Sequence, residues 1–394
     1  MSSPGARLPR LLYVGDVPID STVAGQALLH RLLREYPPDR LMVLEDVGRP
    51  SVRELRLPGV TYRPLDLGTS RFVPGRLTGP YHVLRALRCG LAGQTVARLS
   101  REFAPEAVLA VAQWEGWLAG AAFARSARLP LHLVVHDDWP NTNAWPSLLR
   151  QIGNGVFRKR YRAASSRMCV SPFMEAEYRN RYGVSGSVLL PLRDPSVPSE
   201  QSPAPRRRSG PLTVAYAGTL YTLGYTSLVR GLADALARIG GRLLLFTPLS
   251  TPAAAANGLA RPHVELRGLV PVRVLRQVLR EQADALFLPM SFLPREAVTM
   301  ALNFPSKLTE YTAVALPIVV QGPEGSSAVR WARTTPDAAL VVPEPGADAL
   351  AHALQGLAGD PRLWDRLSAG ALRAGAAFDY QRGRDAFLQL VAHV

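Results

Sequence analysis

Short runs of almost entirely apolar residues recur along this chain, and each run is followed by a turn residue or a helix start. Clear examples are Leu11–Gly15, Leu131–Val135 and Thr213–Ala217. Such strands carry no polar face, so both of their faces must be covered, as in a parallel sheet with helices on each side. Helical patterns, such as residues 23–34 and 272–282, alternate with these runs. The alternation predicts an α/β fold made of doubly wound domains.

The composition changes between residues 193 and 211, where prolines and an arginine triplet cluster. Proline-rich segments of this kind are typical of linkers. We therefore expect a first domain at 1–195, a linker at 196–211, a second domain at 212–375 and a terminal helix at 376–394 that packs back on the first domain. Two such domains would face a central cleft, and helix N-termini at the carboxyl ends of the strands would suit phosphate.

The charge and cysteine content exclude several classes of protein. The chain has 394 residues, an apolar fraction of 47% and a net charge of +15, with Arg supplying nearly all of the positive charge. Cys89 and Cys169 are far apart and form no CxxC motif, so neither a disulfide scaffold nor a zinc site is expected. Neither a signal peptide nor an uninterrupted membrane-spanning run is visible. We expect a cytoplasmic protein, with a peripheral position at the inner membrane face as the alternative.

One segment concentrates groups that could bind a nucleotide. In Phe304–Val320, Ser306 and Lys307 follow a proline that suits a helix start, and Glu310 lies one turn further on. The first N–H groups of the helix could hold a phosphate, and the carboxylate could accept hydrogen bonds from vicinal hydroxyls. An ordinary capped helix with a surface ion pair explains the same spacing.

This segment is similar to the nucleotide-sugar segment of the GT-B retaining glycosyltransferases of the family four type (glycosyl transferases group 1). Other stretches resemble the family in the same order along the chain. They are Leu133–Pro140, Cys169–Ser171 with Met174 and Tyr178, Ala215–Leu220, and Phe378–Tyr380 before the last helix.

The resemblance implies two Rossmann-like domains and a role for particular residues. His136 would face the junction of sugar and acceptor, and Gly25 would let the backbone approach the phosphates. Glu310 would bind the ribose of the donor and count with His136 as catalytic. The remaining positions implied to contact the donor are Gly218, Thr219, Arg267, Gly268, Val270, Ser306 and Lys307.

The resemblance also implies the partners and the chemistry. The donor would be a UDP- or GDP-linked sugar acting as co-substrate, and the acceptor a glycan, a lipid-linked molecule or a small molecule. Transfer would proceed with retention and without a metal ion or other cofactor, because N–H groups, a helix dipole and a cation can meet the charge of the leaving diphosphate. No nucleic acid is expected as a partner.

The sequence departs from the family at two positions. Many relatives carry a second glutamate eight positions before Glu310, where this chain has Leu302. Many relatives also place basic residues after the glycine turn of the second domain, where this chain has Tyr221–Tyr225 without a basic residue. The second departure motivates an alternative function, namely a non-catalytic GT-B protein that binds nucleotide-sugar or glycan.

Aromatic and basic groups elsewhere leave further alternatives open. Trp114, Glu115 and Trp117 could line an acceptor groove or belong to a core, and the loop Trp139–Trp145 is expected at a binding rim. The run Arg158–Lys159–Arg160 with Arg162 could be a solvated helix face or contact anionic lipid headgroups. A basic module for nucleic acid or membrane is the third hypothesis. Protease, hydrolase, P-loop and dinucleotide-binding motifs do not occur in the sequence.

Overall fold

The computed structural model describes residues 7–21, 24–68, 77–139, 141–142, 145–196, 200–205, 210–220 and 222–392. The chain forms two compact units. The first contains Met1–Leu192 together with Tyr380–Val394, and the second contains Arg193–Asp379. These divisions lie close to the expected boundaries at 195 and 376.

The first unit is built on a seven-stranded parallel sheet. Its strands are β1 (Leu11–Gly15), β2 (Leu41–Asp46), β3 (Thr61–Leu65), β4 (Ala107–Ala112), β5 (Leu131–Val135), β6 (Ser166–Cys169) and β7 (Ser187–Val188). The helices of this unit are α1 (Ala24–Leu33), α2 (Thr78–Leu91), α3 (Gly93–Ser100), α4 (Trp117–Ala127), α5 (Ser147–Ala163), α6 (Pro172–Tyr182) and, after the second unit, α15 (Tyr380–Ala392).

The second unit is built on a six-stranded parallel sheet. Its strands are β8 (Thr213–Ala217), β9 (Arg242–Phe246), β10 (Val264–Leu266), β11 (Ala285–Pro289), β12 (Ile318–Gln321) and β13 (Leu340–Val342). Its helices are α7 (Leu223–Arg238), α8 (Thr251–Ala256), α9 (Val272–Gln282), α10 (Ala297–Leu302), α11 (Lys307–Val314), α12 (Ser327–Thr334), α13 (Ala347–Gly359) and α14 (Pro361–Ala374).

The two sheets share one topology. The strand order is β3-β2-β1-β4-β5-β6-β7 in the first and β10-β9-β8-β11-β12-β13 in the second. Each sheet therefore grows outward from its first strand and then reverses, as in the Rossmann fold. The reversal places a switch point beside β1 and β4 in the first unit, and beside β8 and β11 in the second. Ligands of open α/β sheets bind at the carboxyl ends of the strands at such points.

The core of each unit follows from the apolar strands. Every residue of β1, β4 and β5 is buried, and so is every residue of β8 and β11. In the first sheet Tyr13 lies opposite Val43 on one side and Leu109 on the other. The predicted α/β fold of two doubly wound, Rossmann-like domains is confirmed.

The segment expected as a linker packs against the second unit. The Glu200 N–H donates to the Ala313 carbonyl at 3.3 Å, and the Ala204 N–H donates to the Ala315 carbonyl at 3.0 Å. The triplet Arg206–Arg208 lies outside the described residues. Helix α15 packs against α1 of the first unit, where the Tyr380 hydroxyl donates to the Glu35 carboxylate at 3.0 Å.

Candidate functional site

Helix α11 is tied to the end of β8, at the switch point of the second unit. The Ala217 N–H donates to the Tyr311 hydroxyl at 2.9 Å, and Leu308 is fully buried. The helix begins at Lys307, so the backbone N–H groups of Ser306 and Lys307 precede its hydrogen-bond ladder. These groups and the positive end of the helix dipole form an environment that suits an anion.

The Lys307 amine lies against the turn that follows β8. Gly218 has a φ of +146°, and a Cβ added to it would lie 2.2 Å from Lys307 Cε and 2.9 Å from Lys307 Nζ. Only a glycine therefore fits at this position, both for its backbone and for the space the lysine occupies. The structure thus brings together Gly218 and Lys307, two of the positions that the resemblance implied to contact the donor.

The amine is surrounded by aromatic rings rather than by carboxylates. Lys307 Nζ lies 5.5 Å from the ring centre of Tyr216 and 5.7 Å from that of Tyr225, and in the described part of the chain it forms no ion pair or hydrogen bond. Burial lowers the pKa of Lys307 to about 8, because desolvation disfavours the charged form. Near pH 7 the side chain is therefore a half-buried cation.

Glu310 lies one turn beyond Lys307 but is paired with an arginine of α9. Arg276 Nε donates to Glu310 Oε2 at 2.7 Å, and an Arg276 terminal nitrogen lies 2.6 Å from the same oxygen. Glu310 Oε1 lies 3.5 Å from the Thr309 hydroxyl. The i,i+3 pair of Lys307 with Glu310 that the spacing suggested is thus replaced by a pair between helices, which holds the carboxylate in position.

The loop expected beside the base also has a defined geometry. Gly268 has a φ of +66°, and the Arg267 guanidinium lies 2.8 Å from Glu265 and donates to Gln282 at 2.9 Å. Val270 is half-buried. The Thr219 carbonyl accepts a hydrogen bond from the Tyr216 hydroxyl at 2.9 Å, which fixes the glycine turn.

In the first unit, Gly25 and His136 meet at the carboxyl ends of the strands. His136 follows β5, and Gly25 lies in the first turn of α1. A Cβ added to Gly25 would lie 2.8 Å from His136 Nδ1, so the glycine lets α1 approach the imidazole. His136 Nδ1 lies 3.2 Å from Gln113 Oε1, at the end of β4. Because an amide oxygen only accepts, Nδ1 carries the proton and Nε2 presents a lone pair.

The state of His136 follows from its burial. Its side chain is only 8% exposed, and burial lowers the pKa of His136 to about 4, so the imidazole is neutral at physiological pH. Within the described ranges, Nε2 is buried without a hydrogen-bond partner. A buried lone pair of this kind is matched by a donor such as a hydroxyl group.

A buried ionic cluster lies beside this site. Arg85 of α2 donates to Asp16 at 3.1 Å and to Asp46 at 2.7 Å, and its Nε lies 3.4 Å from Glu115. Glu115 also lies 3.0 Å from His82 Nδ1. The cluster ties the ends of β1, β2 and β4 to α2, so Glu115 stabilises the unit rather than lining an open groove.

The two tryptophans predicted to line an acceptor groove or to belong to a core, Trp114 and Trp117, are both packed against other side chains. Trp114 has the Arg49 guanidinium 4.1 Å above its ring and stacks with His82 at 6.3 Å. Trp117 is fully buried and packs edge-to-face on Trp139 at 5.1 Å. The core interpretation therefore holds for Trp117.

The prediction of a binding rim at residues 139–145 is wrong. Trp139 and Trp145 are both buried and contact each other at 5.3 Å, because their rings complete the aromatic core under α5. The neighbouring Asp138 is fully buried and accepts hydrogen bonds from Tyr178 and Arg181, both at 2.8 Å. Pro140 and Asn143 lie outside the described residues.

Sequence reasoning missed three residues of these sites: Arg276, Gln113 and Arg193. Arg193 donates to the Thr309 carbonyl at 3.3 Å and to the Gly375 carbonyl at 3.0 Å, beneath α11. Arg276 could have been found, because it stands at a core-facing position of the α9 pattern. Nothing local in the sequence marks Gln113 or Arg193.

Metal-binding clusters and membrane-spanning helices are two further features that bear on function. Among the described residues, no group of three or more His, Cys, Asp or Glu side chains could hold a metal ion. No helix in the described ranges is both long enough and apolar enough to cross a membrane.

Comparison with known proteins finds a similarity within the first unit. Residues 59–190 match the family model described as Glycosyltransferase Family 4. No curated protein matches the sequence.

Solved structures of similar fold extend over nearly the whole chain. HepE from Anabaena, solved with UDP-glucose, is 14% identical with a TM-score of 0.67 and covers 98% of this chain and 100% of its own. Sucrose-phosphate synthase from Thermosynechococcus elongatus is 14% identical with a TM-score of 0.67, covering 96% and 97%. A glycosyltransferase from Rickettsia africae is 13% identical with a TM-score of 0.66, covering 97% of each chain. The chain has the fold of the GT-B glycosyltransferases, as the sequence resemblance predicted, and its residues 59–190 are similar to family four.

Proposed function

We propose that this protein, a GT-B chain with a family four segment, transfers a sugar from a nucleotide-sugar donor to an acceptor. The observation that carries the proposal is the placement of Lys307 beside Gly218, at the N-terminus of α11 and at the switch point of the second sheet. A cation and unpaired backbone N–H groups meet there, which is the environment a diphosphate requires.

The position of Lys307 also accounts for the missing basic residue in the turn after β8, which had favoured a non-catalytic protein. The turn after β8 has no basic residue of its own, but the Lys307 amine occupies the space beside it. A positive charge is therefore delivered to the turn from a different element. For this reason we favour the enzyme over a protein that only binds nucleotide-sugar.

The residues divide the chemistry as follows. Lys307 and the N–H groups at Ser306 and Lys307 stabilise the charge that grows on the diphosphate as the glycosidic bond breaks. Glu310, held in position by Arg276, accepts hydrogen bonds from the ribose hydroxyls. His136 accepts a hydrogen bond at Nε2 from a hydroxyl of the donor sugar or of the acceptor, and its neutral state suits this role.

The proposal also covers the donor, the acceptor and the course of the transfer. We propose UDP- or GDP-linked sugars as donors, and UDP-glucose is the first to test, because the similar fold of HepE was solved with that ligand. The acceptor is a glycan, a lipid-linked molecule or a small molecule. Transfer proceeds with retention and without a metal ion.

The test is release of UDP from UDP-glucose by the purified protein, with and without candidate acceptors. We expect Lys307→Met and Glu310→Gln each to lower kcat/KM at least about tenfold, since each removes a charge-assisted contact of about 1.5–3 kcal/mol. The matched controls are Lys159→Met, the only other lysine, and Glu281→Gln, an exposed carboxylate on α9.

Equal rates in all four variants would overturn the site assignment. Tight UDP binding without turnover on any acceptor would overturn the transferase and leave a binding protein. The anomeric configuration of the product, read by NMR, tests retention, and activity after treatment with a chelator tests metal independence.

A further inference from the structure

Helix α5 presents an outward face that is apolar at one end and basic at the other. Leu148, Ile152 and Val156 lie four residues apart on one stripe, with exposed fractions of 80%, 63% and 40%. Beyond them the exposed residues of the helix include Arg158, Lys159 and Arg162. We call this set of six side chains the α5 stripe.

The opposite face of α5 is firmly anchored. Phe157 and Tyr161 are fully buried, and the Phe157 ring packs against Trp117 of α4 at 5.6 Å and against Tyr178 of α6 at 5.5 Å. The helix therefore cannot turn to bury its leucine and isoleucine. The α5 stripe stays on the surface of a folded domain, which is an unusual place for large apolar side chains at such exposure.

The helices around the stripe carry few carboxylates, and those of α6, which packs against α5, are paired within their own helix: Glu175 lies 3.8 Å from Arg179, and Glu177 lies 2.9 Å from Arg181. Strands β4, β5 and β6 are adjacent and in chain order, so right-handed crossovers place α4 and α5 on the same face of the sheet. Helices α2, α3, α4 and α5 contain no Asp or Glu in their sequences. Their basic residues, apart from Arg85 in the buried ionic cluster, are Arg88, Arg98, Arg125, Arg150, Arg158, Lys159, Arg160 and Arg162.

Like charges are also brought together within this layer. Burial lowers the pKa of Arg160, and the nearby Arg125 guanidinium of α4 lowers it further. Repulsion of this kind is relieved by an anionic partner. Helix α2 adds exposed Leu84, Leu87 and Leu91 on the same layer, again without a carboxylate.

We propose that the α5 stripe docks the first unit on an anionic lipid bilayer. An apolar row inserts Leu148 and Ile152 at the boundary between headgroups and acyl chains, while the basic end pairs with phosphate groups. This combination of Leu or Ile with Arg and Lys is what a helix lying in the membrane interface requires. At 17 residues, α5 is about 26 Å long and lies along the surface rather than across the bilayer.

The test is co-sedimentation of the full chain with vesicles of phosphatidylcholine alone or with about 30% phosphatidylglycerol, without nucleotide. We expect binding only to the anionic vesicles, and weaker binding as salt rises. Arg158→Glu with Arg162→Glu should weaken it at least about thirtyfold, because each basic residue near the surface is worth roughly fivefold and reversal adds repulsion. Leu148→Ser with Ile152→Ser should weaken it at least about tenfold.

Two control pairs match these changes on the second unit. Arg273→Glu with Arg362→Glu changes the net charge by the same amount, and Val274→Ser with Val298→Ser removes exposed apolar groups. The proposal is overturned if the protein does not bind anionic vesicles, if it binds neutral vesicles equally, or if the controls lose as much as the stripe variants.

Other occupants give distinct results that also overturn it. A dimer in gel filtration that Leu148→Ser with Ile152→Ser dissociates would assign the stripe to a second copy. Salt-sensitive binding to duplex DNA without vesicle binding would assign the basic end to nucleic acid. Because no donor is present in the vesicle experiment, its outcome does not depend on the transferase proposal.

Discussion

The half-buried Lys307 amine makes UDP binding depend on pH in a defined direction. With a pKa of about 8, the side chain is ~90% charged at pH 7 and ~10% charged at pH 9. If the charged form binds the diphosphate, the dissociation constant for UDP should rise about tenfold between these two values. Isothermal titration calorimetry across this range measures the effect directly.

The variant Lys307→Met isolates this contribution. Its side chain has a similar length, so it fills the space beside Gly218 without a charge. Its affinity for UDP should be about tenfold lower at pH 7 and should converge with that of the natural protein at pH 9. Any titration of the uracil base is common to both proteins and cancels in the ratio of their affinities.

Burial of the Lys307 amine also affects stability: UDP binding should weaken as the pH rises, whereas the folded state should become more stable. The pKa of Lys307 is about 8 in the folded chain and about 10.5 when unfolded. Between these values the unfolded chain binds more protons, so the free energy of unfolding should rise with pH across this window. At pH 7 the buried charge destabilises the fold, and Lys307→Met should raise the free energy of unfolding by about 1–3 kcal/mol.

These outcomes separate a binding cation from a structural one. A variant that is more stable and yet binds UDP more weakly cannot owe its weaker binding to misfolding. The reasoning is refuted if UDP affinity of the natural protein is constant from pH 7 to 9, or if Lys307→Met shows the same slope. Lys159→Met should match the natural protein in both measurements.

Two further substitutions test the geometry. Gly218→Ala should lower the free energy of unfolding, measured by urea titration, by about 1–3 kcal/mol and abolish detectable UDP binding, because its φ of +146° and the contact with Lys307 both exclude a Cβ. The control is Gly231→Ala inside α7, where nothing lies within 4 Å of an added Cβ. This variant should be neutral or stabilising in the same titration. Asp138→Asn should lower the free energy of unfolding by about 2–3 kcal/mol, since it leaves Arg181 and the Tyr178 hydroxyl without their buried carboxylate. An unchanged midpoint of urea unfolding would contradict a stabilising role for Asp138.

Central strands could be read from the sequence, whereas edge strands could not. The predicted runs at Leu11–Gly15, Leu131–Val135 and Thr213–Ala217 coincide with β1, β5 and β8. The strands β3, β10 and β13 were missed. β3 and β10 are partly exposed and carry no continuous apolar run, and β13, although it lies in the apolar run Ala338–Val342, has only three residues, two of them half-buried. The signal comes from burial on both faces, and an edge strand lacks it.

The aromatic loop at residues 139–145 shows why composition misleads about surfaces. Tryptophans beside asparagines read as a rim for sugars, and the pattern contains no helical or strand period to say otherwise. In the structure Trp139 packs against Trp117 and Phe157, which come from different helices. Contacts between segments so far apart in the chain leave no trace in the local pattern.

In the candidate donor site, too, some features follow from neighbouring residues in the sequence and others depend on contacts between distant segments. The helix start at Ser306 and Lys307 could be read from its proline and its spacing. The position of the amine depends instead on Tyr311, whose hydroxyl holds α11 to the end of β8, and on the glycine at 218 that leaves room for the side chain. A basic residue in the turn after β8 is therefore one way to place a cation there, and a lysine from a neighbouring helix is another. The ability to bind a diphosphate depends on where the charge ends up, which the sequence of the turn alone does not determine.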